Sequence, residues 1–172
     1  MFKSDPLESV ALTDLMGAKA VPGNPAQVTA REELRQAADR QSSSAVPRMT
    51  WHLMVEALEF TALAASAEHQ GDDSEAALLA ACAAGSVRRA AMALPLEGRS
   101  PHGAARSVHL VVVGGPIHRV RRTSARLAGL LLGARPTDPD LVRRALEAHT
   151  AALDTWRVEQ LAAVRRSHAL AG

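Results

Sequence analysis

The chain has 172 residues, of which 47% are hydrophobic and 22% are charged. This balance excludes an intrinsically disordered protein, and the single cysteine, Cys82, excludes a disulfide framework. Tyrosine is absent, and two tryptophans and two phenylalanines are the only aromatic residues, so alanine and leucine supply most of the apolar content. Such a composition favours closely packed helices over a β-sandwich, which depends on β-branched and aromatic side chains.

Capping signals divide the chain into a series of predicted helices. A proline at the first helical position marks a start at Pro6, and a Thr29-x-x-Glu32 capping box marks the next one. Gly71 ends the third predicted helix, and the acidic residues after it cap the fourth. The predicted helices span about 6–18, 29–40, 47–70, 74–94, 116–133 and 137–169.

The segment 108–113 is ambiguous because its valines favour a strand by propensity alone. A lone strand would leave its backbone N–H and C=O groups unpaired, and no second strand is predicted. We therefore predict a buried helix over this segment.

The predicted fold is all-α, an irregular or up-down bundle of about five to seven helices with a long C-terminal helix. Residues 1–46 form a predicted N-terminal helical arm and linker, and residues 47–172 form the predicted bundle domain. At about 1.5 Å per residue the last helix would be about 50 Å long. One side of such a helix stays uncovered in a single small bundle, so we expect a homo-oligomer or a protein partner.

The N-terminal sequence lacks the basic and then apolar layout of a signal peptide, and the most apolar windows are shorter than the roughly 20 residues of a membrane span. We therefore expect a cytoplasmic protein with no membrane contact. Arginine outnumbers lysine by 18 to 2, which is typical of a GC-rich bacterial genome and does not by itself indicate phosphate binding.

Charge is distributed unevenly along the chain. Residues 1–97 hold 13 acidic and 8 basic side chains, whereas residues 98–172 hold 5 acidic and 12 basic ones. Between Glu97 and Asp138 there are seven arginines and no carboxylate. This segment is therefore the first place to look for an anion-binding surface.

Four arginines on the predicted helix 116–133 form a candidate anion-binding site. Arg119, Arg122 and Arg126 follow the i, i+3, i+7 spacing of one helical face. Arg121 lies beside this stripe, which spans about 10 Å and can lie along the phosphates of nucleic acid or another polyanion. The alternative is a solvated face that pairs with the acidic half, within one chain or across a dimer. The shortage of aromatic residues argues against single-strand binding by base stacking.

A second candidate is a metal site of histidine and glutamate. His52, Glu56 and Glu59 share one face of the predicted helix 47–70. His149 lies on the apolar face of the last helix, so a two-His, two-carboxylate site would form if the two faces met. The Glu-x-x-His and His-Glu-x-x-His spacings are absent, and no cofactor is predicted. The alternative is a surface ion pair between His52 and Glu56 and a hydrogen-bonded core histidine at position 149.

Two glycine-containing loops, 98–103 and 114–118, place a basic group beside a helix start, which can hold an anion. A proline at the first helical position removes one donor in each loop, and ordinary helix-breaking turns are the alternative. The glycine patterns of dinucleotide and P-loop sites are absent. Cys82 stands among alanines and leucines, which predicts a small buried apolar residue.

These features support three hypotheses. The first is a non-enzymatic regulatory or protein-interaction module, because no catalytic motif is present. The second is nucleic-acid or other polyanion binding through the arginine stripe. The third is a metal-dependent enzyme or sensor in a helical bundle.

Overall fold

The computed structural model describes residues 25–41, 45–95, 115–133 and 138–172. Within these ranges the fold is all-α, with five helices and no strand, and its C-terminal helix is long, as predicted. The helices are α1 (Pro25–Arg40), α2 (Arg48–His69), α3 (Asp73–Met92), α4 (Pro116–Leu132) and α5 (Pro139–Ala171). The helix predicted at 6–18 and the ambiguous segment 108–113 lie outside the described residues.

The ends of several helices follow from local side-chain chemistry. Asp72 caps α3, since its carboxylate accepts a hydrogen bond from the Glu75 N–H at 2.9 Å. Asp138 caps α5 in the same way, with the Asp140 N–H at 3.0 Å. Between α2 and α3, Gly71 has a φ of 83°, a conformation that only glycine adopts without strain. The turn at Gly71 therefore makes α2 and α3 antiparallel neighbours.

Helix α1 begins at Pro25, so the predicted start at Thr29 is wrong. The Thr29 hydroxyl donates to the Pro25 carbonyl at 3.0 Å, one turn back within the helix, and does not cap its start. Pro25 fits the first turn because its missing N–H has no partner there in any helix. The helix joins the core of the bundle through the buried residues Ala30, Leu34, Ala37 and Ala38. The domain boundary at residue 46 stays a prediction.

The helices form a ring in the order α2, α3, α5 and α4, and α1 packs between α2 and α4. In α2 and α5, Thr61 contacts His149 and Glu68 contacts Trp156, so the two helices run parallel across the ring. The short connection 133–138 makes α4 and α5 antiparallel. Since α3 and α4 lie on opposite sides of the ring, their outer surfaces face different directions.

The contacts between α3 and α5 show that these helices are antiparallel. Arg88 of α3 donates two hydrogen bonds to Asp154 of α5, at 3.0 and 2.9 Å. Seven residues further along the chain, the Pro95 carbonyl accepts a hydrogen bond from Arg143, which lies earlier in α5. The two contacts set how far α3 and α5 are shifted relative to each other along their axes.

Alanine fills much of the core. Fully buried alanines on α2, α3 and α5 let the helix axes approach closely, and they include Ala57, Ala64, Ala80, Ala83 and Ala152. The large apolar core side chains are leucines, Met54, Trp51 and Trp156. The Trp156 indole N–H donates to the Glu68 carboxylate at 2.9 Å, so its one polar atom is satisfied.

Candidate nucleic-acid interface

Helix α4 divides cleanly into an apolar face and a basic face. Val120, Leu127 and Leu131 are buried against the bundle. All four arginines of the helix are exposed, and they are Arg119, Arg121, Arg122 and Arg126. The helix contains no aspartate or glutamate that could neutralise them.

The arginines of α4 make no ion pair with any carboxylate in the part of the chain that the structure describes. Other arginines pair with five of those carboxylates, in the pairs Arg35–Glu59, Arg48–Asp39, Arg88–Asp154, Arg89–Glu56 and Arg143–Asp140. The alternative in which the stripe pairs with the acidic half of its own chain therefore has no support among the described contacts. No carboxylate of the described ranges neutralises the basic face of α4.

The position of these arginines within α4 is electrostatically unfavourable. The first turn of α4 has no acidic residue, and Arg119, Arg121 and Arg122 all lie in its first two turns. The amino end of a helix carries a partial positive charge that falls off within the first turn, so it disfavours Arg119 by a few tenths of a kcal/mol and Arg121 and Arg122 by less. A bound anion would remove this repulsion.

Three of the four arginines form one continuous stripe. At about 1.5 Å per residue, Arg119 and Arg126 are about 10 Å apart along the helix axis, with Arg122 between them. Arg121 projects about 100° around the helix from Arg122, because successive residues turn by that angle. We define the α4 stripe as Arg119, Arg122 and Arg126, with Arg121 on its flank.

A buried histidine holds α4 against the rest of the bundle. His149 of α5 is fully buried, with Nε2 3.3 Å from the Thr61 hydroxyl and Nδ1 2.7 Å from the Thr123 hydroxyl. The Thr61 hydroxyl donates to the Ala57 carbonyl at 2.7 Å, so it accepts from the imidazole Nε2–H. The Thr123 hydroxyl lies 3.0 Å from the Arg119 and Val120 carbonyls but only 2.7 Å from Nδ1, so beside a neutral imidazole it donates to Nδ1, and the ring links α2, α5 and α4.

Burial keeps this imidazole uncharged. Desolvation lowers the pKa of His149 from 6.5 to about 4, since the charged form has no water around it. The prediction of a hydrogen-bonded core histidine at this position is confirmed.

The carboxy end of α4 is capped by a residue from outside the helix. The Gln41 side-chain amide donates to the carbonyls of Leu130, Leu131 and Gly133, at 3.4, 3.2 and 2.6 Å. These carbonyls belong to the last turn, where no intrahelical N–H reaches them. Gln41 therefore fixes the orientation of α4, and sequence reasoning missed this role because about 90 residues separate the partners.

The candidate metal ligands do not come together. His52, Glu56 and Glu59 line a groove of about 440 Å³ between α1 and α2. His149 contacts Thr61, nine residues beyond His52 in α2, which places the two histidines about 13 Å apart along the axis and on opposite sides of that helix. Among the residues that the structure describes, no group of three or more His, Cys, Asp or Glu side chains is arranged to hold a metal ion.

The groove residues are engaged in other contacts. His52 Nε2 lies 3.1 Å from an Asp39 oxygen, and Glu56 accepts from Arg89 at 2.7 Å. Glu59 accepts from Arg35 at 3.0 Å. The alternative of an ion pair between His52 and Glu56 is therefore wrong, because each has a partner on another helix.

Two further expectations have different outcomes. Loop 98–103 lies outside the described residues, and Gly115 is the N-cap of α4 without a side-chain cap. Cys82 is partly exposed, so the expectation of a buried cysteine is wrong. It lies one residue off the core face of α3, which is formed by Ala80, Ala83 and Val87.

Comparisons of this chain with protein-family models, with curated proteins and with solved structures gave no match. Within the described ranges, every helix is either too short or too polar to cross a bilayer.

Proposed function

We propose that this protein is a non-enzymatic interaction module that binds the phosphate backbone of a nucleic-acid duplex through the α4 stripe. One observation carries the proposal: the four arginines of α4 are exposed, have no ion pair among the described residues and share their helix with no carboxylate, whereas α1 and α5, which also carry unpaired arginines, contain acidic residues as well. A cytoplasmic location, which gives access to nucleic acid, is part of the proposal.

The chemistry of arginine suits a phosphate ligand. The guanidinium group is always charged and donates hydrogen bonds in a fork that matches two phosphate oxygens. The roughly 10 Å between Arg119 and Arg126 corresponds to about three base-pair steps at about 3.4 Å each. A rigid helix held by His149 and Gln41 keeps the three groups at this spacing before binding.

A duplex suits this surface better than a single strand. Binding of single strands relies on aromatic side chains that stack on bases. Helix α4 contains no phenylalanine, tyrosine or tryptophan, so its contact with a nucleic acid would depend on charge. Contacts to phosphate position a protein on a duplex without reading its sequence, so we expect little sequence preference.

The test is fluorescence anisotropy of a labelled duplex titrated with the full chain at low salt. We expect Arg119→Glu/Arg122→Glu/Arg126→Glu to lose binding, because each substitution replaces an attraction to phosphate with a repulsion. Far-UV circular dichroism checks that the variant keeps its helices.

A matched control separates the stripe from net charge. Arg40, Arg157 and Arg166 are exposed arginines on α1 and α5 with no ion pair among the described residues. Their triple substitution by glutamate changes the net charge equally and should retain most of the binding. Equal loss in both triple variants, or no binding by the wild-type chain, would refute the proposal. Heparin and polyglutamate titrations then show whether phosphate on a duplex is preferred to other polyanions.

A further inference from the structure

The outer face formed by α3 and α5 exposes apolar side chains that the core does not use. On α3, Leu78 and Met92 are 65% and 84% exposed, and on α5 Val158 is 62% exposed. A groove of about 520 Å³ runs between the helices, with Ala91 and Ala151 in its lining. Single exposed apolar residues are normal, but several on one two-helix face indicate an interaction surface.

The outer stripe of α5 is self-complementary. The spacing between successive residues of this stripe alternates between four and three, which keeps them on one side of the helix. The residues are Glu147, Ala151, Asp154, Val158, Leu161 and Arg165. The positions are symmetric about residue 156, and the symmetry places the acidic Glu147 opposite the basic Arg165. Both side chains are exposed and have no ion pair among the described residues. A second α5 laid antiparallel would pair Glu147 with Arg165 of that copy, twice.

Helix α3 repeats the same symmetry. Leu78 and Met92 lie seven residues before and after Gly85, so all three share one stripe. A Cβ atom added to Gly85 would meet nothing within 4 Å, which shows open space above it. An antiparallel α3 would place Leu78 against Met92 of the second copy, with Gly85 at the centre.

The two centres of symmetry lie at the same height. Arg88 contacts Asp154, and the helices are antiparallel, so two residues back along α3 correspond to two residues forward along α5. The Arg88–Asp154 contact puts Gly85 level with residue 157 of α5, and the Arg143–Pro95 contact puts it level with residue 153, so the centre at residue 156 lies within this range. A single two-fold axis serves both helices.

We propose that the α3–α5 face is the interface of a symmetric homodimer in which each helix packs antiparallel on its own copy. A two-fold interface must be complementary to itself. On this face Glu147 meets Arg165 and Leu78 meets Met92, while Asp154, opposite Val158, keeps its ion pair with Arg88 of its own copy. Helix α4 lies across the ring from α3, so the dimer leaves the α4 stripe free. The inference is independent of nucleic-acid binding.

Sedimentation or light scattering on the full chain without nucleic acid tests the dimer. We expect a concentration-dependent mass that approaches twice 18.2 kDa. Glu147→Arg and Arg165→Glu should each weaken dimerisation by about tenfold or more, because each places like charges opposite one another twice. The double variant restores both pairs and should recover the wild-type mass. A strict monomer at every concentration, or no recovery in the double variant, overturns the proposal.

Directed crosslinking gives a second, geometric test. In a Cys82→Ser background, Leu78→Cys combined with Met92→Cys should give a disulfide-linked dimer under mild oxidation. Either substitution alone should not, because each cysteine would face the wild-type residue of the second copy. As a control, Val28→Asp on α1, where Val28 is 56% exposed, should leave dimerisation unchanged, while Leu78→Asp weakens it. Efficient crosslinking in a single-cysteine variant would contradict the antiparallel arrangement.

Discussion

Helices α3 and α4 both carry arginines on their outer surfaces, but the arginines are in opposite situations. Arg88 and Arg89 of α3 reach Asp154 and Glu56 on the helices at either side. The arginines of α4 have no carboxylate on their own helix and no ion pair with one among the described residues. The number of arginines on a helix is therefore no guide to its function. The two helices differ in whether carboxylates on neighbouring helices lie within reach of the arginines.

The comparison also shows what holds a basic helix in place. Since the arginines of α4 have no ion pairs within the described ranges, the polar attachments of this helix are internal: the Thr123 hydroxyl to His149 and the last carbonyls to Gln41. Buried polar links of this kind set orientation because an unsatisfied partner is costly. Disturbing these links should therefore destabilise the fold more than changing the surface charges does.

Acidification should have the largest effect, because it charges His149. The pKa of this imidazole is about 4 in the fold and 6.5 when exposed, so the unfolded chain binds more protons between these values. Stability from this group is complete above about pH 6.5 and is lost as pH falls towards 4, by about 3 kcal/mol at 1.36 kcal/mol per pKa unit. Urea unfolding over this pH range measures the loss. His149→Gln should remove most of this pH dependence, whereas His118→Gln on the surface should retain it; equal slopes in both variants would contradict the assignment.

Removal of the Gln41 amide should have the next largest effect on the attachment of α4. Gln41→Leu leaves buried carbonyls at the end of α4 without their donor, which costs about 1–3 kcal/mol. The shift in the urea midpoint measures this cost, and faster amide exchange in α4 would localise it. Gln36→Leu is the control, because that side chain is exposed and bonds Glu32 one turn back in its own helix. Similar losses in the two variants would show that Gln41 has no special role.

A carboxylate introduced on α4 should pair with the arginines of that helix, as carboxylates on neighbouring helices pair with the arginines of α3. Ala125 is exposed and lies three and four residues after Arg122 and Arg121, within reach of both. We expect Ala125→Glu to weaken duplex binding about tenfold, roughly the loss of one phosphate contact, measured by anisotropy. Ala125→Gln adds a side chain of the same size without charge, and Ser74→Glu adds the same charge at an exposed position of α3. Both controls should bind as the wild type does, and unchanged binding in Ala125→Glu would contradict a phosphate site on α4.

Loss of a paired arginine on α3 should have the smallest effect. Arg89→Met removes a largely exposed ion pair with Glu56, which costs less than about 1 kcal/mol in thermal or urea unfolding. Duplex binding should be unchanged, in contrast to Arg122→Met on α4. A larger binding loss in the α3 variant than in the α4 variant would reverse the comparison between the two helices.

The sequence alone predicts the five described helices, apart from the start of α1, and the common face of the three stripe arginines. Prolines, glycines and capping aspartates mark most helix ends locally, and the i, i+3, i+7 spacing of Arg119, Arg122 and Arg126 fixes their common face. The start of α1 was missed because Thr29 forms an internal hydrogen bond in place of a cap. Local patterns identify elements and faces without identifying their partners.

Partners depend on how helices rotate against one another, and this explains the remaining differences. The apolar position of His149 was readable from its neighbours in α5, but its contact with Thr61 depends on the packing of α2. The same packing turns His52 away from His149 and brings Glu56 within hydrogen-bonding distance of Arg89. Whether residues on two helical faces come together as a metal site therefore could not be predicted from the sequence, because it depends on how each helix is rotated about its axis.

The salt dependence of duplex binding tests the role of the α4 stripe most directly. Three phosphate contacts predict that the logarithm of the binding constant falls with the logarithm of salt concentration with a slope of about −2.7, and Arg122→Gln should reduce this slope to about −1.8. Binding by the wild-type chain that does not depend on salt, or a slope unchanged in Arg122→Gln, would show that the α4 stripe does not contact phosphate.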